Sequence, residues 1–421
     1  MRSTRLPVRA LLVVALGFCF AGCQANTPGY PSAPVDSATG SPPEAAAPYP
    51  AGSIHAPAAQ AYAKGLPGVD AGRRIAVLIP LHGKLSGAGL AIQQGMIAAW
   101  FRQRATGQPV PELRFLDTSG ADFDSVYDAA VDGGADIIIG PLQKNHLHAL
   151  QQRPQLTVTT IALNYADGGE QHERLFFFGL AGEDEATQVA RQLLAAGHTR
   201  PAALLPAEEW SQRIVLQFAN TLRQGGARTP VVATYQGNGD YGEVVRSLLG
   251  ITASEDRHRR LERLLGTSLA FTPSPRQDID SLFVVGNTLQ GTQLVPAIRY
   301  HHADYLPMYA TSHINGQPTA DAMRDLNGIR FVEMPWLSRA EQPLRDDVRQ
   351  ISNDAEPAYT RLNALGADAL LVAQQLDILQ YGRPLDGVTG RLTLDGGRAV
   401  RRELDWMQFR SGGATPDEHA N

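Results

Sequence analysis

The motifs that would do covalent chemistry are missing from this chain. HExxH, GxSxG and paired-cysteine patterns are absent. His301-His302 and His146-x-His148 are pairs of a type that can hold a metal. Lone histidine pairs on exposed helices are solvated as a rule, so no metal or other cofactor is expected. Asp117, Asp278 and Asp280 sit at predicted strand or loop ends, where capping and turn roles account for an acid. The expectation is a protein that is not an enzyme. What remains is binding chemistry. His82, Lys84, Ser86, Gln143, Asn164, Tyr165, Asn287 and Ser312 fall at predicted strand ends and are candidates to line a cleft. Ser86 and the helix start beside it could bind a carboxylate. A second cluster is basic: Arg257, Arg259, Arg260 and Arg263 flank an apolar stripe of Leu261, Leu264 and Leu265. A charged helix face of this kind is usually only solvated; these arginines are retained as the candidate partner surface.

The cleft candidates depend on the elements that carry them, and the first is the stretch 73–100. Residues 75–79 are a continuous apolar run rich in β-branched residues, suited to a strand buried on both faces. Pro80 ends it. A loop with Gly83, Gly87 and Gly89 follows, then Leu90, Ile92, Met96, Ile97 and Trp100 at near-helical spacing. Strand, loop and helix open a doubly wound sheet, in which ligands sit beyond the carboxyl ends of the strands. The loop is not a nucleotide fingerprint: GxGxxG fails at its last position and GxxxxGK[ST] is absent. Its glycines either allow a tight turn and close helix packing or bring the backbone to a ligand.

At 421 residues the chain can bury two lobes. A net charge of -5 gives no reason to expect nucleic acid. The only cysteines are Cys19 and Cys23. Arg2, Arg5 and Arg9 precede an apolar stretch, 10–20, too short to span a bilayer comfortably. Phe20-Ala21-Gly22-Cys23 then resembles a bacterial lipobox. The resemblance implies a signal peptide over 1–22 and a lipidated Cys23. Gln24, where aspartate would favour inner-membrane retention, implies an outer-membrane anchor facing the periplasm. Residues 23–72, lipidated cysteine included, are rich in Pro, Ala, Ser and Gly and read as a flexible linker.

From Arg73 strands and helices alternate, as in an α/β fold with repeated βα units. Strands are expected at 113–116, 136–139, 157–163, 175–178, 202–205, 231–235, 282–285, 308–311 and 329–334. A long helix is expected at 359–381. Residues 388–394 and 402–409 read as a terminal hairpin around Asp395-Gly396-Gly397, followed by a frayed tail over 411–421.

Several stretches resemble one family. Residues 74–95, Ile138-Ile139-Gly140-Pro141-Leu142, Ala162-Leu163-Asn164, Glu183-Asp184-Glu185-Ala186, 258–266 with Arg276-Gln277-Asp278-Ile279-Asp280, and Val388-Thr389-Gly390-Arg391-Leu392 look like the C-terminal domain of LppC/LpoA-type lipoproteins. The resemblance covers most of 73–410. It implies a two-lobed type I periplasmic-binding-protein-like fold, a Venus flytrap. Lobe I would hold about 73–178 and 312–381, and lobe II about 179–311 and 387–410. It also implies an activator of a bifunctional class A penicillin-binding protein, the synthase that builds peptidoglycan. Long members carry a helical-repeat domain before this one, and here the linker occupies that place. A minimal activator and a relative with a changed partner both fit. The alternative is a periplasmic solute-binding receptor for an amino acid or cell-wall fragment. Against it, Lys84 and Leu85 are bulky in a loop that amino-acid receptors keep small.

Overall fold

Successive positions of one strand show how the layers form. Along Arg74–Ile79, Ile75, Val77 and Ile79 enter one apolar cluster while Ala76 and Leu78 enter another. A run apolar at every position thus has helices on both faces. The computed structural model describes residues 64–418 except 69–71, 121, 167, 169–171, 237–240, 317, 353–356 and 411–412. The signal peptide, Cys23 and most of the linker therefore lie outside the described residues.

In chain order the strands are β1 (Gly65–Leu66), β2 (Arg74–Ile79), β3 (Glu112–Asp117), β4 (Ile137–Ile139), β5 (Thr159–Ala162), β6 (Leu175–Phe178), β7 (Pro201–Pro206), β8 (Val231–Tyr235), β9 (Ser281–Val284), β10 (Met308–Ala310), β11 (Arg330–Glu333), β12 (Leu385–Asp386), β13 (Arg391–Leu394), β14 (Ala399–Glu403), β15 (Asp405–Arg410) and β16 (Gly413–Pro416). They form two sheets, ordered β1-β3-β2-β4-β5-β6-β14-β13-β12 and β16-β15-β11-β10-β9-β7-β8. Strands β2 to β6 pair in parallel, as do β7 to β11. Each sheet reverses its winding at its founding strand, β2 or β7. The loops after these strands therefore open where doubly wound sheets place their sites. The chain passes between sheets at 179–181, at Met334 and at Leu404.

The lobe boundaries differ from those expected. Residues 312–333 do not return to lobe I, because β11 pairs in parallel with β10 of the second sheet, Tyr309 opposite Arg330. Alternation along the chain predicts a strand there but not the sheet it joins. The terminal hairpin is β13 with β14, and it belongs to the first sheet, since β14 runs parallel to β6. Leu404 alone separates β14 from β15, which pairs with β11 in the second sheet. Residues 387–410 are thus divided between the lobes. The tail is not frayed over 413–416: β16 pairs with β15, and the buried Asp417 lies 3.2 Å from Arg330. The linker also ends early. β1 pairs with β3, and Leu66 is buried. Gly65 permits this contact: its φ is 151°, and a Cβ there would sit 2.2 Å from the Leu113 carbonyl oxygen. The helix expected over 359–381 is two, Thr360–Gln374 and Leu376–Gln380.

Of the glycines of the opening stretch, Gly83 serves the turn with a φ of 72°, and Gly87, Gly89 and Gly95 act in packing. A Cβ on Gly95 would lie 1.9 Å from the Asn363 oxygen, and one on Gly366 would lie 2.0 Å from the Ile92 oxygen. The helices Ser86–Ala105 and Thr360–Gln374 therefore meet backbone to backbone in the first lobe.

Candidate functional site

The loop after β2 is organised by one carboxylate. Asp117 Oδ1 accepts from the Leu81 amide at 2.8 Å, the Ser119 amide at 3.0 Å and Ser119 Oγ at 2.5 Å. Its Oδ2 lies 2.6 Å from His82 Nδ1. Burial pushes the Asp117 pKa up, but hydrogen bonds from Ser119, Leu81 and His82 outweigh it and hold the carboxyl at about 2. Ser, Asp and His stand together here, yet Ser119 gives its hydroxyl proton to Asp117 rather than to His82. No nucleophile–base pair results. His82 and Lys84 are exposed. Ser86 Oγ donates to the Gly83 oxygen at 2.8 Å and closes the turn before its helix.

A cavity of about 680 Å³ opens between the lobes. Of the expected cleft residues, Asn164 and Tyr165 line it; His82, Lys84, Ser86, Gln143, Asn287 and Ser312 do not. Asn164 Nδ2 donates to the Leu142 oxygen, and its Oδ1 accepts from the Tyr165 amide. The Tyr165 hydroxyl donates to the Val400 oxygen at 2.7 Å, beneath the Arg401 guanidinium. Gln143 is the N-cap residue of the helix Lys144–Gln151. Asn287 forms a capping box with Gln290. The basic helix Ile251–Leu265 is distant from this cavity in the sense that none of its residues lines it. From the second lobe the cavity receives Trp210 stacked on His313, ring centres 5.1 Å apart. Burial pushes the His313 pKa down against the pull of Glu185.

Beside the cavity, charged side chains tie one lobe to the other. From the first lobe, Arg361 Nη2 donates to Glu333 Oε2 at 2.6 Å and to the Ser312 and Asn315 oxygens at 3.1 Å. Ser312 in turn donates to Glu185 through its amide at 2.7 Å and its hydroxyl at 2.9 Å. Arg402 of β14 reaches the Ala181 oxygen at 3.3 Å and stands 3.7 Å from Glu185. Arg401 donates to Asp395 at 2.8 Å and to Asp184 at 3.2 Å. Burial pushes the pKa values of Asp184 and Glu333 up, opposed by the arginines beside them. These bonds join the lobes beside the cavity, while Arg361 Nε and Arg402 Nε and Nη1 are buried without a hydrogen-bond partner among the described residues.

Sequence reasoning missed this network, although two signals pointed to it. Arg401 and Arg402 are adjacent in a strand, so their side chains leave by opposite faces and one must point inward. Three consecutive acids, Glu183 to Glu185, open one helix turn and cannot all face water; Asp184 and Glu185 are buried. Among the described residues, no group of three or more His, Cys, Asp or Glu is placed to hold a metal. No described helix is long and apolar enough to cross a membrane.

Two doubly wound lobes, three short crossings and a cleft fed from strand ends on both sides define a type I periplasmic-binding-protein-like domain. Within that class the chain belongs to the family described as LppC putative lipoprotein, whose profile matches residues 42–412. It is similar to the penicillin-binding protein activator LpoA of Vibrio cholerae, 28% identical over 79% of this chain and 56% of the relative. LpoA of Photobacterium profundum is 27% identical over 81% and 56%. The chain therefore spans just over half the length of the curated relatives it matches. Among solved structures, the LpoA C-domain from Haemophilus influenzae, a regulator of PBP1A, shares the fold with a TM-score of 0.67 and 23% identity, over 82% of this chain and 99% of that one. A putative branched-chain amino acid ABC transporter structure from Chromobacterium violaceum gives 0.59 and 27%, over 79% and 99%.

Proposed function

We propose that this chain is a non-enzymatic regulator that binds and activates a class A penicillin-binding protein, held at the outer membrane by lipid on Cys23 and facing the periplasm. The observation that carries the reading is the family match over 42–412. The named relatives are penicillin-binding protein activators. The arrangement beside the cleft is consistent with a scaffold role, since Arg361 and Arg402 bond from one lobe to the other there. Activation would be a shift of population: the chain binds a competent synthase state more tightly than an idle one. The test is polymerisation and cross-linking by a purified class A penicillin-binding protein with and without the chain. A measurable complex and a raised rate are expected. No complex at micromolar concentrations of both proteins, about 8 kcal/mol of binding free energy, sinks the reading.

A second reading is a solute receptor, and the Trp210–His313 stack in a cavity of about 680 Å³ is the feature that favours it. Amino acids or muropeptides that raise the melting temperature of the wild type, but not of Trp210→Ala, would support it.

A further inference from the structure

The helix Ile251–Leu265 is seated on the second lobe by its first half, while its second half exposes apolar surface. Ile251 and Ser254 are buried, and Glu255 pairs with Arg246 of the preceding helix. One face of the rest is also held: His258 stacks on Phe271, ring centres 4.1 Å apart, and Glu262 accepts from the Leu269 amide at 3.0 Å. The rest of the helix surface is open. Leu261, Leu264 and Leu265 are 50%, 75% and 62% exposed.

Charge on this helix is sorted the same way. Its acids are engaged within the chain: Glu255 and Asp256 pair with Arg246 and Arg259, and Glu262 lies against His258 and accepts from the Leu269 amide. Arg257 and Arg260 are exposed and make no hydrogen bond or ion pair among the described residues. Arg263 reaches only the Arg259 main-chain oxygen. A chain of net charge -5 thus presents a positive island around three leucines.

The spacing decides what such a ridge fits. Arg257 with Leu261, and Arg260 with Leu264, are i,i+4 neighbours, so these cations share a face with the leucines and lie one turn before them. A helix lying in a bilayer keeps its charges on the face opposite its apolar one. Here insertion of the leucines would carry guanidinium groups into the acyl region. A groove in a protein suits the pattern better: apolar at its floor for the leucines and edged with carboxylates for the arginines.

We propose that Leu261, Leu264 and Leu265 with Arg257 and Arg260 form a docking ridge for an apolar, carboxylate-rimmed groove on a protein partner. That this partner is a class A penicillin-binding protein rests on the reading above. The test is binding of the full-length chain to the purified class A penicillin-binding protein of its own bacterium. It compares the wild type with Leu261→Ser/Leu264→Ser, Arg257→Glu/Arg260→Glu and, as a control on the other lobe, Arg349→Glu. Each ridge variant should weaken binding by about tenfold or more, the control should not, and melting temperatures should stay near that of the wild type. Added salt should weaken the wild type more than the charge-reversed variant. If the wild type binds and both ridge variants bind equally well, the ridge is overturned and the activator reading stands. If the wild type does not bind, the activator reading falls and the ridge with it. If the ridge variants lose only binding to phosphatidylglycerol vesicles, the face meets lipid and the proposal is overturned.

Discussion

Arg361 Nη2 lies 2.6 Å from Glu333 Oε2, and the two residues belong to different lobes. Glu333 ends β11 of the second sheet with its side chain fully buried. Arg361 lies in the first turn of the helix packed against Ser86–Ala105 in the first lobe. The same guanidinium nitrogen holds the Ser312 and Asn315 oxygens. An arginine of the chain itself therefore bridges the lobes beside the cavity, which couples their separation to the exposure of the buried Glu333 carboxylate.

Arg361→Met should leave Glu333 buried without a cation and destabilise the fold by about 3–5 kcal/mol. Adding Glu333→Leu should restore part of that loss, because it removes the unpaired carboxylate, though the Asn315 amide and the Met334 N–H then lose their acceptor. A double-mutant cycle in urea would measure the coupling. Additive effects would mean that the pair contributes nothing as a unit.

Gly95→Ala and Gly366→Ala test the helix contact of the first lobe. Each added Cβ would meet a main-chain oxygen, of Asn363 or Ile92, at about half of normal contact distance. Backbone cannot rotate away as a side chain can, so each substitution should cost about 1–3 kcal/mol even though alanine favours helix. A melting temperature equal to the wild type would show that the helices part without cost.

Much of this fold was legible because its strands are buried on both faces. Apolar runs such as Ile137–Ile139 and Leu175–Phe178 mark themselves whatever their neighbours do. The assignment of strands to lobes was not legible. β11 and β14 each look like a buried strand, and only their partners β10 and β6 say which sheet they join. The cleft residues were partly legible. Asn164 and Tyr165 follow a strand and line the cavity, whereas Asn287 and Ser312 also follow strands but serve a cap and a carboxylate. Position at a strand end gives a residue access to a site; its nearest hydrogen-bond partner decides whether it is available there.

Asp117 should confer an acid dependence on the loop after β2. Its folded pKa of about 2 lies below its ordinary 3.8, so folding favours the ionised form. The contribution is whole above 3.8 and is lost as pH falls through about 2. Amide exchange at Leu81 and His82, whose N–H groups bond Asp117 and Ser119, should rise across that window. In Asp117→Asn this step should vanish, since no proton is taken up there. Persistence of the step in the variant would assign it to another group.

The last prediction concerns the two ends of the domain. A chain trimmed to 73–410 keeps every residue the alternating pattern marks, but it loses β1 and β16. Without β16, β15 becomes an edge strand, and Arg330 loses Asp417, whose side chain is fully buried. Without β1, the far edge of the first sheet opens along β3, and the core loses Leu66. Removing one partner of a buried pair together with a paired strand should cost about 2–4 kcal/mol. Open edges also invite pairing between molecules. Comparing 64–418 with 73–410 by urea unfolding and light scattering separates the two effects. The shorter chain should unfold at lower urea and scatter more as its concentration rises. Asp417→Asn in the longer chain should reproduce part of the stability loss and none of the scattering, because it weakens the pair but leaves β15 covered. If the trimmed chain instead matches the longer one in both measurements, the end strands only rest on their sheets and carry no share of the stability.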